Sequence, residues 1–141
     1  MMNELYNQRI LKLAADIPHI GTLADPQASA DAVSRLCGSK VHVDLAVQDG
    51  KVSAFAHQVE ACALGQASSS VMGRQIIGST PDELRRVGKA MRAMLKENGP
   101  APEGRWQDLE VLQSVRDYSN RHASTLLTFD AVEDCLAQLG V

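Results

Sequence analysis

VHVDLAVQDGKVSAFAHQV, residues 41–59, alternates apolar and polar side chains on both sides of Asp49-Gly50. Alternation of period two puts one face of each run against a core. Asp-Gly between such runs supplies the two positive-φ positions of a tight hairpin turn. The stretch therefore reads as two antiparallel strands, Val41–Val47 and Lys51–Val59. Everything else in the chain is arranged around that hairpin.

Upstream, residues 3–16 read as an amphipathic helix with Tyr6, Ile10, Leu13, Ala14 and Ile17 on one face. PHIGTLADPQASA (18–30) carries two prolines and a glycine and reads mostly as irregular chain that ends in a short strand. Downstream the period changes to that of a helix. Leu64, Ala67, Val71 and Ile76 share a face, and Gly78 supplies a left-handed stop. Thr80-Pro81-Asp82-Glu83 restarts a helix, with Thr80 as N-cap, Pro81 in the first turn and Glu83 closing a capping box. That helix buries Leu84, Val87, Met91, Met94 and Leu95 and ends at Asn98-Gly99-Pro100. GPAPEG (99–104) is a turn-rich connector, a short helix is expected around Asp108–Gln113, and a last one runs from Arg121 to Leu139. Helix, small antiparallel sheet, then helices is the α+β pattern: a three-stranded antiparallel sheet packed against about five helices, as one domain over residues 1–141.

The whole-chain numbers narrow the function classes. With 45% apolar residues but only 4% aromatic, the core is aliphatic and alanine-rich. A formal net charge of −3 gives no basic footprint for nucleic acid or an anionic membrane. No apolar run approaches a membrane span, and MMNELYNQRI lacks the apolar centre of a secretory signal, so a cytoplasmic location is expected. Three cysteines at unequal spacings in such a protein are reduced, metal-bound or buried rather than disulfide-paired.

VEACALGQASSSVMG (59–73) ends a strand with a thiol and follows it with very small side chains. Cys62 falls between strand and helix, where free N–H groups and the helix dipole favour a thiolate. The other reading makes Cys62 a small buried hydrophobe and the run a helix-packing seam. Cys37 lies in SRLCGSK (34–40) beside Gly38, whose flexibility allows backbone N–H groups to turn toward a sulfur or metal. The hairpin returns the chain to this loop, so Cys37 and Cys62 are expected to be neighbours. Cys135 sits inside a helix pattern and reads as packing. His122 opens the last helix in SNRHASTLLTF (119–129), either as a site residue or as a solvated cap. His42 and His57 read as surface strand residues. Ser68-Ser69-Ser70 is no nucleophile motif, since no acid–His pair is placed to activate it.

In this order and spacing, these motifs resemble the IscU/NifU/SufU-type iron–sulfur cluster assembly scaffolds. The resemblance covers about residues 3–138. It rests on LYNQRIL (5–11), Cys37-Gly38 before the hairpin, Asp49-Gly50 in its turn, Cys62 with the serine-rich stretch six positions later, and a closing helix. The segment between Cys62 and the last helix, including GPAPEG, looks like the longer SufU-like branch. The resemblance implies cluster-binding thiolates at Cys37 and Cys62, an auxiliary ligand at His122, cofactor-binding positions at Gly38 and Ser39, and a docking surface at Ser68, Ser69 and Ser70. It also departs from the family pattern. Ser39 stands where the family has an aspartate, Ala123 where it has a third cysteine, and Ala61 where a glycine precedes the second cysteine. RDYSNR (116–121) replaces the proline-rich segment that binds a dedicated chaperone.

A closed tetrahedral site wants four ligands. Cys37, Cys62 and His122 give at most three, with Ser39 or Glu60 as poor fourths. The resemblance thus implies a scaffold, a carrier rather than a catalyst, that binds iron or a labile [2Fe-2S] cluster and passes it to recipient iron–sulfur proteins. The expected partner is a cysteine desulfurase, and a homodimer is one way to complete the site. Two alternatives accompany it: a zinc-dependent SufU-like sulfurtransferase accepting persulfide sulfur on Cys37, and a metal-free interaction protein of the same fold that modulates a desulfurase or client.

Overall fold

The computed structural model describes residues 7–141. Tyr6 and the start of the predicted first helix lie outside the described residues. Helix α1 spans Gln8–Ala14 and is capped by Asn7, whose Oδ1 accepts the Ile10 N–H at 3.0 Å. Strands β1 (Ala28–Ser34), β2 (Ser39–Gln48) and β3 (Lys51–Glu60) follow, then α2 (Ala63–Gln75) and α3 (Pro81–Lys96). A long 3₁₀ segment (Gly104–Asp117), a short one (Ser119–Arg121) and α4 (His122–Leu139) complete the order. The sheet is antiparallel in the order β1-β2-β3. The predicted α+β arrangement is the one observed.

The hairpin forms as read. Asp49 and Gly50 take φ values of 55° and 76°, the left-handed pair that this turn requires. One face of the sheet carries Ala28 and Ala30 from β1, Val41, Val43 and Leu45 from β2, and Phe55 from β3, all buried. Helix α4 packs across β1 and β2, and α2 packs between α1 and α4. Fully burying an aliphatic side chain stabilises by about 1.5–3 kcal/mol. The row Val41-Val43-Leu45 therefore holds the hairpin, and Leu64-Val71-Met72-Ile76 holds α2, in a core that α4 joins.

Strand β1 is longer than expected. ASADAVS (28–34) carries one β-branched residue, and its strand identity comes from pairing with β2, Ala28 opposite Leu45 through Ser34 opposite Ser39. The segment expected as a short helix is 3₁₀ throughout and anchored by Trp106, whose Nε1–H donates to Glu83 at 2.8 Å. Thr80 accepts the Glu83 N–H at 3.1 Å as its cap. The Glu83 carboxylate does not close the box; it turns to Trp106 and Arg105.

His57 corrects a second expectation. It shares strand parity with Phe55 and Val59 and pairs across from Val43, so it faces the core and is fully buried. Its Nε2–H donates to the Pro18 carbonyl at 2.8 Å, and burial holds the ring below its ordinary pKa, in the neutral form. His42 lies on the opposite, open face, half-buried between Asp31 and Asp44, each 2.8 Å from one ring nitrogen. The Asp31 contact, with Asp44, raises its pKa despite partial burial.

A candidate thiol site at one end of the sheet

The last described pair between β2 and β3 is Lys40 opposite Glu60. Cys37 lies three residues before Lys40 and Cys62 two after Glu60, so the chain presents both thiols at one end of the hairpin. The turn carrying Cys37 is closed by the Gly38 N–H donating to the Ser34 carbonyl at 2.8 Å, with Gly38 at φ +73°. Ser34 and Ser39 are the final β1–β2 pair, and both hydroxyls point back at the sulfur. Cys37 donates to Ser34 Oγ at 3.5 Å and shares a hydrogen bond with Ser39 Oγ at 3.1 Å. Hydroxyls that donate to a thiolate stabilise it. Ser34 first, then Ser39, bring the Cys37 thiol from 9.0 to about 7, against the opposing effect of burial.

Cys62 is the N-cap residue of α2, as expected, but its sulfur takes none of the helix N–H groups. It shares a hydrogen bond with Ser124 Oγ at 3.5 Å instead. Ser124, on α4, is also the last and smallest contributor to lowering Cys37. Ser124 is 1% exposed and is held by donating to the Arg121 carbonyl at 3.2 Å. Sequence reasoning missed it. The available signal was its hydroxyl in the first turn of a helix, where Ser bonds back to the preceding turn and its Oγ is held in one direction.

The small residues after Cys62 receive a specific explanation. A Cβ at Gly65 would lie 2.8 Å from Ala61 Cβ and 2.9 Å from the Ser124 carbonyl oxygen. The backbone that approaches this helix is therefore the chain's own α4. Ser68, Ser69 and Ser70, expected as a docking surface, are fully buried. Ser68 donates to the Gly65 carbonyl at 3.2 Å and Ser70 to the Asp16 carbonyl at 2.9 Å, which satisfies hydroxyls taken out of water. They form the packing seam, the alternative reading of this run.

His122 does not join the thiols. Its Nε2 lies 3.1 Å from the Val115 carbonyl and 3.2 Å from that of Arg116, which ties the ring to the 3₁₀ segment. Ala123 is exposed and lines a groove with Leu95, Asn98 and Asp117. One step along α4 rotates direction by about 100°, and that step is the difference between Ala123 and the inward Ser124. Glu60 lies on the open sheet face beside Lys40, His42 and Gln58. Among the described residues, no group of three or more His, Cys, Asp and Glu side chains is placed to hold a metal ion. The donor set at the thiols is two cysteines and three hydroxyls. Cys135, in contrast, is fully buried, with Sγ 3.7 Å from the Val43 carbonyl, and burial pushes its thiol up to about 12.

Residues 5–125 match the model of the NifU-like N-terminal domain. The chain belongs to that family. The N-terminal part of a nitrogen-fixing NifU-like protein from Brucella abortus, a crystal structure, is 59% identical, with a TM-score of 0.97 over 99% of this chain and 96% of that one. The iron–sulfur cluster assembly scaffold protein IscU of Thermotoga maritima is 24% identical over 136 residues, 96% of this chain and 94% of that protein. A crystal structure from Fervidobacterium islandicum, ascribed to a SUF-system assembly scaffold, shares the fold with a TM-score of 0.87 at 22% identity, over 96% of this chain and 99% of that one. The family is that of the iron–sulfur cluster assembly scaffolds, as the sequence motifs implied.

Proposed function

We propose that this protein carries iron or a labile [2Fe-2S] cluster on Cys37 and Cys62 and passes it to recipient iron–sulfur proteins in the cytoplasm, with sulfur supplied by a cysteine desulfurase. The observation that carries this reading is that the exposed Cys37 and the half-buried Cys62 flank the terminal Lys40–Glu60 pair at one end of the sheet, each with a serine hydroxyl at its sulfur. Two thiolates hold a cargo without enclosing it, and the other ligands come from outside the chain: a second copy, a small thiol or the recipient. A site that must release its cargo does not need four ligands of its own, whereas structural zinc does. The zinc-dependent alternative therefore has less support from this donor set.

A second reading is favoured by a specific feature. Cys37 is exposed, and the hydroxyls of Ser34 and then Ser39 lower its thiol to about 7. Such a thiol is a competent sulfur acceptor without any ion. Val33 and Leu36, both exposed, give its turn an apolar rim on which a partner can seat. Metal and acid-labile sulfide analysis of anaerobically purified protein separates the readings. The carrier reading expects iron with sulfide, stoichiometric zinc would restore the zinc-dependent alternative, and metal-free protein that accepts persulfide sulfur on Cys37 would replace it with the second.

A further inference from the structure

We propose that Cys37 and Cys62 are a thiol–disulfide pair, closed by reaction of Cys37 with a small-molecule disulfide, so that oxidation removes both cargo thiolates together. The regulatory consequence rests on the carrier reading above; the disulfide chemistry rests only on the site geometry. Three features of that geometry point to it. Cys37 and Cys62 flank the terminal Lys40–Glu60 pair at the same end of the sheet, where Cys37 meets Ser39 Oγ at 3.1 Å and Cys62 meets Ser124 Oγ at 3.5 Å. Among the described residues no third metal-binding side chain joins the two thiols. The two cysteines also differ in freedom. Cys62 caps α2, whose first turn is packed against α4 at Gly65, while Cys37 rides on the exposed turn 35–38. A disulfide needs Cα atoms roughly 4.4–6.8 Å apart, and the turn is the element that adjusts.

The chemistry is a pair of thiol–disulfide exchanges. The Cys37 thiolate attacks one sulfur of oxidised glutathione; the glutathione S–S bond breaks, a mixed disulfide forms, and one glutathione thiolate leaves. The Cys62 thiol loses its proton to solvent and attacks the Cys37 sulfur. The mixed disulfide breaks, the Cys37–Cys62 bond forms, and the second glutathione thiolate leaves. Two cysteine thiols are oxidised and one oxidised glutathione is reduced to two thiols. Excess reduced glutathione runs the sequence backwards, which suits a compartment where disulfides are transient.

The test uses the full chain, metal-free and anaerobic, in buffers of stepped reduced-to-oxidised glutathione ratio, read by intact mass and peptide mapping. The expected product has lost two hydrogens, carries a Cys37–Cys62 cross-link and leaves Cys135 free. Cys62→Ser should stop at a single glutathionyl adduct on Cys37, and Cys37→Ser should take up none at position 62 under the same conditions. A stable adduct on Cys37 in the wild type, a link to Cys135, or no reaction would overturn the pair. Iron and sulfide are then offered to the reduced and oxidised forms. Uptake by the reduced form alone supports the regulation, and equal uptake by both overturns it. Disulfide formation with uptake by neither form would leave the thiol pair standing while the carrier reading, and the regulation with it, fails.

Discussion

Two regions of this molecule hold the same functional group and treat it in opposite ways. At the open end of the sheet, Cys37 and Cys62 are surrounded by the hydroxyls of Ser34, Ser39 and Ser124. Between α4 and the sheet, Cys135 is packed with no exposure and a single backbone carbonyl 3.7 Å away. Hydroxyls stabilise negative charge on sulfur, and an apolar enclosure penalises it. The contrast teaches that surroundings, not the presence of cysteine, decide which thiol can serve chemistry here.

The largest expected effect of that contrast is kinetic. With one thiol at about 7 and the other at about 12, the thiolate fractions at pH 7 differ by on the order of 10⁵-fold. Iodoacetamide should label Cys37 in the native protein and Cys135 only after denaturation. Because the folded protein lowers the Cys37 value, its thiolate is already half-formed near pH 7. Its labelling rate should rise through that pH and level off above it, whereas an ordinary thiol is still climbing. Ser34→Ala should move the midpoint upward. A native rate for Cys135 equal to that of Cys37 would break the comparison.

A smaller effect sharpens it through packing. Gly65→Ala must push α2 away from the Ser124 carbonyl, since both atoms nearest to its Cβ lie under 3.0 Å. Overpacking of this kind costs about 1–3 kcal/mol, measurable by urea unfolding. The displacement also draws Ser124 from Cys62 while leaving Cys135, on the sheet side of α4, as inert as before. A neutral Gly65→Ala would show that the two helices are not in that contact.

How much of this was legible in the sequence follows from where the signals are local. Asp49-Gly50 and the flanking alternation specify a hairpin by themselves, and Thr80-Pro81 specifies a helix start. The pairing of both thiols at one sheet end followed from the hairpin alone. β1 was faint because ASADAVS has little strand propensity and is held by its neighbour. For His57 two signals conflict: a histidine's polarity suggests the surface, while its parity with Phe55 and Val59 puts it on the core face, and parity prevails. Ser68-Ser69-Ser70 have the polarity of a surface, yet three successive helical residues span about 200° and cannot share one outward face. Ser124 and the turning away of His122 were hidden because each depends on the rotation of α4 against the rest of the molecule, which no short motif encodes.

The most direct test of the account is anaerobic reconstitution with iron and sulfide on three proteins: wild type, Cys62→Ala and Cys135→Ala. The account predicts a visible charge-transfer absorption with iron and sulfide bound in the wild type and in Cys135→Ala, and its loss in Cys62→Ala. Equal loss in both variants, or full binding by Cys62→Ala, would contradict the claim that cargo is held at the serine-lined end of the sheet.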